Sequence, residues 1–264
     1  MPAEEVYDVR PPGVAPEHPE QIPRGWRDRL LAAVLPAACL SCGEPLPASA
    51  ELGLCAPCRG RLRPLGGEGC GVCALCAAPL GAAVPAGYAC GRCRARPPAF
   101  DRLLALWSYE PPLDAVVRGL KFGRLDYLGR HLGRELAAAF LAELGGVDLV
   151  VPVPLHWRRR LARGYNQAER IAGPLALALG RPLVPALSRR RSTPPQSALG
   201  RPQRLANPRG AFRVRRRHAV AGRAVLVVDD VATTGATLDA AAAALKRAGA
   251  AAVLATVAGR TPGP

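Results

Sequence analysis

Apolar positions in the second half of the chain fall into two alternating kinds of run. Leu103–Tyr109, Val147–Val153, Ala224–Val228 and Ala252–Val257 are short and nearly uninterrupted, the composition required of strands buried on both faces. Between them, residues 113–121, 125–143, 165–179 and 237–248 repeat their apolar side chains at the three- and four-residue spacing of helices. Pro111 and Pro112 end the first strand. This alternation predicts an α/β fold, a parallel sheet flanked by helices, with ligands gathered at the carboxyl ends of the strands. Residues 188–210, rich in Arg, Pro and Ser, show no period and read as a long loop, either a functional lid or disordered.

The first hundred residues follow a different rule. Residues 1–24 are Pro-rich and aperiodic and read as a disordered tail. Trp26, Leu30, Leu31 and Val34 then recur at helical spacing until Pro36. All nine cysteines lie between positions 39 and 93, and composition changes sharply near residue 98, where a domain boundary is expected. No apolar run reaches the 18 residues of a membrane span, and the acidic, Pro-rich start is unlike a secretion signal. The expected location is cytoplasmic.

The cysteine spacing carries chemistry. Cys39-x2-Cys42-x12-Cys55-x2-Cys58 is followed by Cys73-x2-Cys76-x13-Cys90-x2-Cys93. A CxxC turn sets two thiolates at the bite of a tetrahedral zinc ion, and two such turns complete four ligands. The segment is also an internal repeat. Pro45-Leu46 after the first knuckle matches Pro79-Leu80 after the third, which puts Cys73 with Cys76 and leaves Cys70 as the spare thiol. A disulfide framework would suit a secreted chain, and no secretory signal is visible. With few bulky apolar residues, the module is expected to draw much of its folding energy from structural zinc. Spacing leaves open whether each repeat fills its own site or the repeats exchange partners.

Charge sharpens the picture. The chain has 36 basic and 20 acidic residues, a net +16, and only Lys121 and Lys246 are lysines. Residues 156–217 hold sixteen Arg against the single acid Glu169, so 16 − 1 = +15 falls in this stretch. Such a one-sign field suits an anionic partner, phosphate or polynucleotide.

The strand read at 224–228 runs into Asp229-Asp230-Val-Ala-Thr233-Thr234-Gly235-Ala236-Thr237 before the last helix. Gly235 permits close backbone approach, and the amides of Thr233–Thr237 can form an anion nest at the helix N-terminus. Two acids beside such a nest call for a ligand with hydroxyls next to its phosphate. A ribose 5-phosphate meets both requirements.

These residues resemble the phosphoribosyl-diphosphate (PRPP) motif of type I phosphoribosyltransferases. The chain from about residue 36 resembles the ComF (competence protein F) family, a double zinc ribbon joined to a phosphoribosyltransferase-like domain. LKF at 120–122, VPVPLH at 151–156, RGYNQAE at 163–169 and LSRRRSTPPQSALG at 187–200 carry the likeness further, as do Arg204, Asn207 and Phe212. The resemblance implies a helix and double zinc ribbon over 25–98 and a phosphoribosyltransferase-like domain over 99–264. It implies that Asp229 and Asp230 hold the ribose hydroxyls while Thr233, Thr234, Gly235, Ala236 and Thr237 cradle the 5-phosphate. It places Pro152 and Val153 at the diphosphate loop, although the bare residues leave an ordinary Pro-ended strand open. The resemblance also puts Arg189, Arg191 and Arg204 on the flexible lid, within reach of the diphosphate, as Arg suits bidentate phosphate contacts. Lys121, Arg163 and Asn166 are further candidates, each equally compatible with a surface or capping role.

Two functions follow from the resemblance. In one, the protein is a phosphoribosyltransferase that uses Mg2+–PRPP and an unidentified acceptor. In the other, it is a non-catalytic competence factor that handles single-stranded DNA, with competence proteins as partners, and binds PRPP or a nucleotide only as a ligand. Purine-type transferases carry an acid where this chain has Thr233, and Asp239 is expected on the solvent face of its helix, so no acceptor-binding base stands out.

Overall fold

The computed structural model describes residues 38–47, 50–66, 71–81, 84–85, 87–189 and 210–262. The tail at 1–24, the helix read at 26–34, Cys70, Arg191 and Arg204 lie outside this set. Among the described residues the chain runs through α1 (Ala56–Gly60), α2 (Gly91–Ala95), β1 (Arg102–Ser108), α3 (Leu113–Phe122), α4 (Tyr127–Leu144) and β2 (Leu149–Pro152). It continues through α5 (Trp157–Arg163), α6 (Gln167–Leu179), β3 (Leu187–Arg189), β4 (Phe212–Val214), β5 (Ala224–Ala232), α7 (Ala236–Arg247) and β6 (Ala252–Arg260).

Strands β1, β6, β5 and β2 form one parallel sheet in that order. Its strands are buried on both faces, as their near-continuous apolar runs require. On one face α3, α4 and α6 pack over Leu104, Val150, Leu226 and Val228. On the other, α7 packs over Val225, Val227, Val253 and Ala255. Helices α4 and α6 cross closely because Gly129 and Gly133 carry no side chain: a Cβ added at Gly133 would sit 2.3 Å from the Ile171 carbonyl oxygen.

Three differences from the expected elements concern the site. Trp157–Arg163 is helical, about two turns with no buried residue, whose Trp157 and Leu161 are too few to register as a period. The strand read at 224–228 extends to Ala232, so Asp229 and Asp230 belong to the strand and do not merely follow it. The start of the segment read as loop pairs instead, β3 with β4 in antiparallel register, while 190–209 lies outside the described residues.

The cysteine repeats straddle the sheet. Leu52, Leu54 and Cys58 join the core under α3 and α4, whereas Cys73, Cys76 and Cys93 join the core under α7. Between them, the connector lies along the free edge of β1: Leu65 N–H donates to Leu106 O at 3.0 Å, and Ser108 N–H to Arg63 O at 2.8 Å. This covers an edge that would otherwise present unpaired amides. Arg59 of α1 clamps the first repeat to α4 through Glu135, with Nη2 and Oε1 2.6 Å apart.

Candidate functional site

The two repeats fold alike. Cys39 N–H donates to Glu44 O at 2.8 Å and Cys73 N–H to Ala78 O at 2.9 Å. Cys55 N–H donates to Cys39 Sγ at 3.4 Å and Cys90 N–H to Cys73 Sγ at 3.3 Å. Cys39, Cys42, Cys55 and Cys58 form one cluster and Cys73, Cys76, Cys90 and Cys93 another, the sulfurs of each lying within 4.8 Å of one another. Each repeat therefore closes its own site, which answers the pairing question that spacing leaves open. Zinc–sulfur bonds of about 2.3 Å in a tetrahedron place sulfurs roughly 3.8 Å apart. Cys42 and Cys55 stand 3.6 Å apart and Cys76 and Cys90 3.9 Å apart, so both clusters fit zinc. Four thiolates in each fill the coordination shell, the arrangement of a structural ion.

The second feature lies at the carboxyl ends of β5 and β2. Asp229 and Asp230 lie in the C-terminal half of β5 and are 8% and 3% exposed. Alternation along the strand sends them to opposite faces of the sheet. Asp229 Oδ1 accepts from Asp230 N–H at 2.9 Å, and Asp230 Oδ1 accepts from Val231 N–H at 2.8 Å. Lys121, at the end of α3, brings Nζ to 2.9 Å from Asp230 Oδ2. The approach is an ion pair rather than a well-aligned hydrogen bond, since Oδ2 has no hydrogen-bond partner of good geometry.

Burial, reinforced by the neighbouring Asp230 charge, pushes the Asp229 carboxyl up to about 7, against the pull of Lys121 and Arg189. Burial disfavours the charge on Lys121, yet Asp230 outweighs it and holds the ammonium above its usual range. Burial lowers Arg163 and Arg189, and both feel the Asp229 charge. Lys121 of α3 thus contacts the acidic pair directly, and the charges of Arg163 in α5 and Arg189 in β3 act on it from farther off.

Past Ala232 the chain turns through Thr233, Thr234 and Gly235 into α7. Gly235 adopts a φ of +79°, a conformation that favours glycine, and stands at the N-cap of the helix. The Thr234 hydroxyl accepts from Ala236 N–H at 3.3 Å, which shapes the turn. The positive end of the α7 dipole faces this point.

Beside it runs the loop after β2. Pro152 pairs with Val228, and Val153 N–H donates to Val228 O at 2.9 Å, so the loop stands next to Asp229. Asn166 settles between its alternatives: buried at the N-cap of α6, its Oδ1 accepts from Ala168 N–H at 3.2 Å while its Nδ2 donates to Val153 O at 3.1 Å. It caps a helix and pins the loop together. His156 caps α5 in the same way, its Nδ1 accepting from Arg158 N–H at 3.4 Å.

Asp239 departs from expectation. Its Oδ1 accepts from Ala99 N–H at 2.6 Å, and with Thr234, Gly235, Arg92, Arg96 and Arg247 it lines a cavity of about 440 Å3 between α2 and α7. Sequence reasoning also passed over Arg260, which is 3% exposed and bonded to the backbone of the turn. Its one signal is a charge that ends an otherwise apolar strand.

Known proteins share this architecture. The double zinc ribbon domain family matches residues 30–97 and the phosphoribosyl transferase domain family residues 166–262. The DNA utilization protein YhgH of Salmonella typhi is 35% identical over 226 residues, 83% of this chain and 95% of that protein. YhgH of Escherichia coli K12 is 35% identical over 225 residues with the same coverage. Competence protein F of Haemophilus influenzae is 30% identical over 167 residues, 61% of this chain and 73% of that protein. A solved allosteric regulatory enzyme of purine biosynthesis aligns with 49% of this chain, covering 25% of its own, at 25% identity and a TM-score of 0.33, too slight a likeness to carry weight. Among the described residues, no helix is long and apolar enough to cross a membrane. With both domain families matched in order, and with YhgH and competence protein F similar over most of their lengths, the chain belongs to the ComF family.

Proposed function

We propose that the site at the ends of β5 and β2 binds PRPP as its magnesium complex and that the protein is a phosphoribosyltransferase of unidentified acceptor. The observation that carries this reading is the buried Asp229–Asp230 pair directly before a Gly235 turn that opens α7. A phosphate alone would avoid two acids. A ribose 5-phosphate uses both, offering hydroxyls to the carboxylates and its phosphate to the amides of Thr233, Thr234, Gly235, Ala236 and Thr237.

In this reading Pro152 and Val153 lie along the diphosphate, with Arg163, Arg189 and Lys121 supplying positive charge. Arg191 and Arg204, outside the described residues, are assigned the same task. Magnesium, when bound with the substrate, screens the diphosphate and makes it a better leaving group. The chain's own part is electrostatic: arginines stabilise charge gathering on the departing diphosphate, and the acidic pair faces the positive charge growing on the sugar. The test is diphosphate release from Mg2+–PRPP across a panel of nucleobases. Release with at least one acceptor, lost in Asp229→Asn, supports the reading. Binding of PRPP with no release from any acceptor would leave the site a ligand sensor.

The names of YhgH and competence protein F, together with the sixteen arginines between 156 and 217, favour a second reading in which the protein works on DNA-derived material. Single-strand affinity that falls steeply with salt and survives Asp229→Ala, with no diphosphate released, supports that reading.

A further inference from the structure

Arg260 physically joins the second cysteine cluster to the phosphate turn. It ends β6, is 3% exposed, and donates Nε to the Cys76 carbonyl oxygen at 3.0 Å. Its Nη1 donates to the carbonyl oxygens of Ala232 at 2.9 Å, of Thr233, and of Thr261 at 3.4 Å. Every one of these acceptors is a neutral backbone carbonyl. A buried guanidinium still needs a counter-charge close by. Here the nearby cluster of Cys73, Cys76, Cys90 and Cys93 supplies it, because its four thiolates outnumber the two positive charges of a zinc ion.

Among the described residues, the first cluster has no such link. It lies across the sheet, packed with α3 and α4, and its outward tie is the Arg59–Glu135 ion pair. The two sites are near copies in backbone geometry but differ in what they hold. The first steadies helices. The second holds, through Arg260, the backbone between Asp230 and Gly235.

We propose that metal occupancy of the second cluster sets the shape of the phosphate turn through Arg260, which makes Arg260 a positioning residue for that turn and the second zinc an allosteric support. The consequence for ligand affinity rests on the sugar-phosphate reading of the turn; the mechanical link does not. Loss of the second zinc frees the Cys76 carbonyl and removes the counter-charge, so the bonds to Ala232 and Thr233 slacken.

The experiment compares amide hydrogen exchange over residues 231–239 in the full chain and in Cys93→Ser, Cys42→Ser, Arg260→Met and Arg260→Lys, with zinc counted in each. Exchange in α4 and α6 reports whether a variant is folded. Cys93→Ser, short of one zinc, and Arg260→Met, retaining both, should each speed exchange over 231–239 about tenfold or more, the factor expected for one charge-assisted bond lost. Arg260→Lys should fall between Arg260→Met and wild type, and Cys42→Ser should lose one zinc with the turn unchanged. Unchanged exchange over 231–239 in either folded Cys93→Ser or folded Arg260→Met overturns the link, as does equal loosening by Cys42→Ser. Should both of those variants fail to fold, graded chelation of the wild-type protein decides: the turn must loosen with loss of zinc before α4 and α6 do, and simultaneous loosening refutes the proposal. These readouts stand even if calorimetry finds no PRPP binding, so failure of the ligand reading and failure of the link are told apart.

Discussion

Replacing Asp229 by Asn should stabilise the ligand-free protein while impairing its site. The Asp229 carboxyl is held near 7 by burial and by Asp230, against 3.8 for the free group. A carboxyl whose folded pKa lies above its unfolded value contributes stability that is fully present below about 4 and is lost as pH rises toward 7. Three pKa units at about 1.4 kcal/mol each give a penalty of about 4 kcal/mol above pH 7, of which about 2–3 kcal/mol accrues between pH 5 and 8. The neutral amide of Asn avoids that penalty but remains a polar group in the same buried place, so a net gain of about 2–4 kcal/mol is expected at pH 8. On a domain of this size, that raises the melting temperature by roughly 5–15 °C. Thermal melts of wild type and Asp229→Asn at pH 5 and pH 8 read the effect directly. The advantage of the variant must grow with pH. An advantage of equal size at both values, or a less stable variant at pH 8, refutes the assignment of a strained, ionised Asp229.

Other outcomes follow from the same geometry. Elemental analysis of the purified protein should give two zinc ions per chain, and a strong chelator should lower the melting temperature, since both clusters lie at the edges of apolar cores. Gly133→Ala should cost about 1–3 kcal/mol in denaturant melts, because its methyl would press on the Ile171 carbonyl across the α4–α6 crossing. Asn166→Ala removes both a helix cap and the bond to Val153 O, and should cost about 1–3 kcal/mol in the same assay while weakening diphosphate binding in calorimetry.

The alternating fold was readable because buried parallel strands and amphipathic helices write themselves as unlike periods, and Val147–Val153 against 165–179 shows the contrast plainly. The cysteine ligands were legible for a stronger reason: a tetrahedral ion fixes their spacing, and the repeat fixes their register. The acids and glycine of the turn sit together in sequence, so local chemistry announced them. What escaped depends on contacts between distant positions. Arg260 reaches Cys76, 184 residues away in the chain, and no local pattern marks such a bond. The pairing of Lys121 with Asp230 comes from the packing of α3 beside β5, which is invisible until the sheet is assembled. Asp239 looked solvent-facing on its helix because its partner, the Ala99 amide, arrives from the far side of the composition change at residue 98.

The central claim is that two acids and a glycine turn hold one sugar phosphate. Titration calorimetry of Mg2+–PRPP into wild type and into the Asp229→Asn, Asp230→Asn double variant tests it most directly. The account predicts one site per chain in wild type and affinity at least about a hundredfold weaker in the double variant, two charge-assisted contacts having been lost. No heat of binding in wild type, or equal affinity in both proteins, contradicts it.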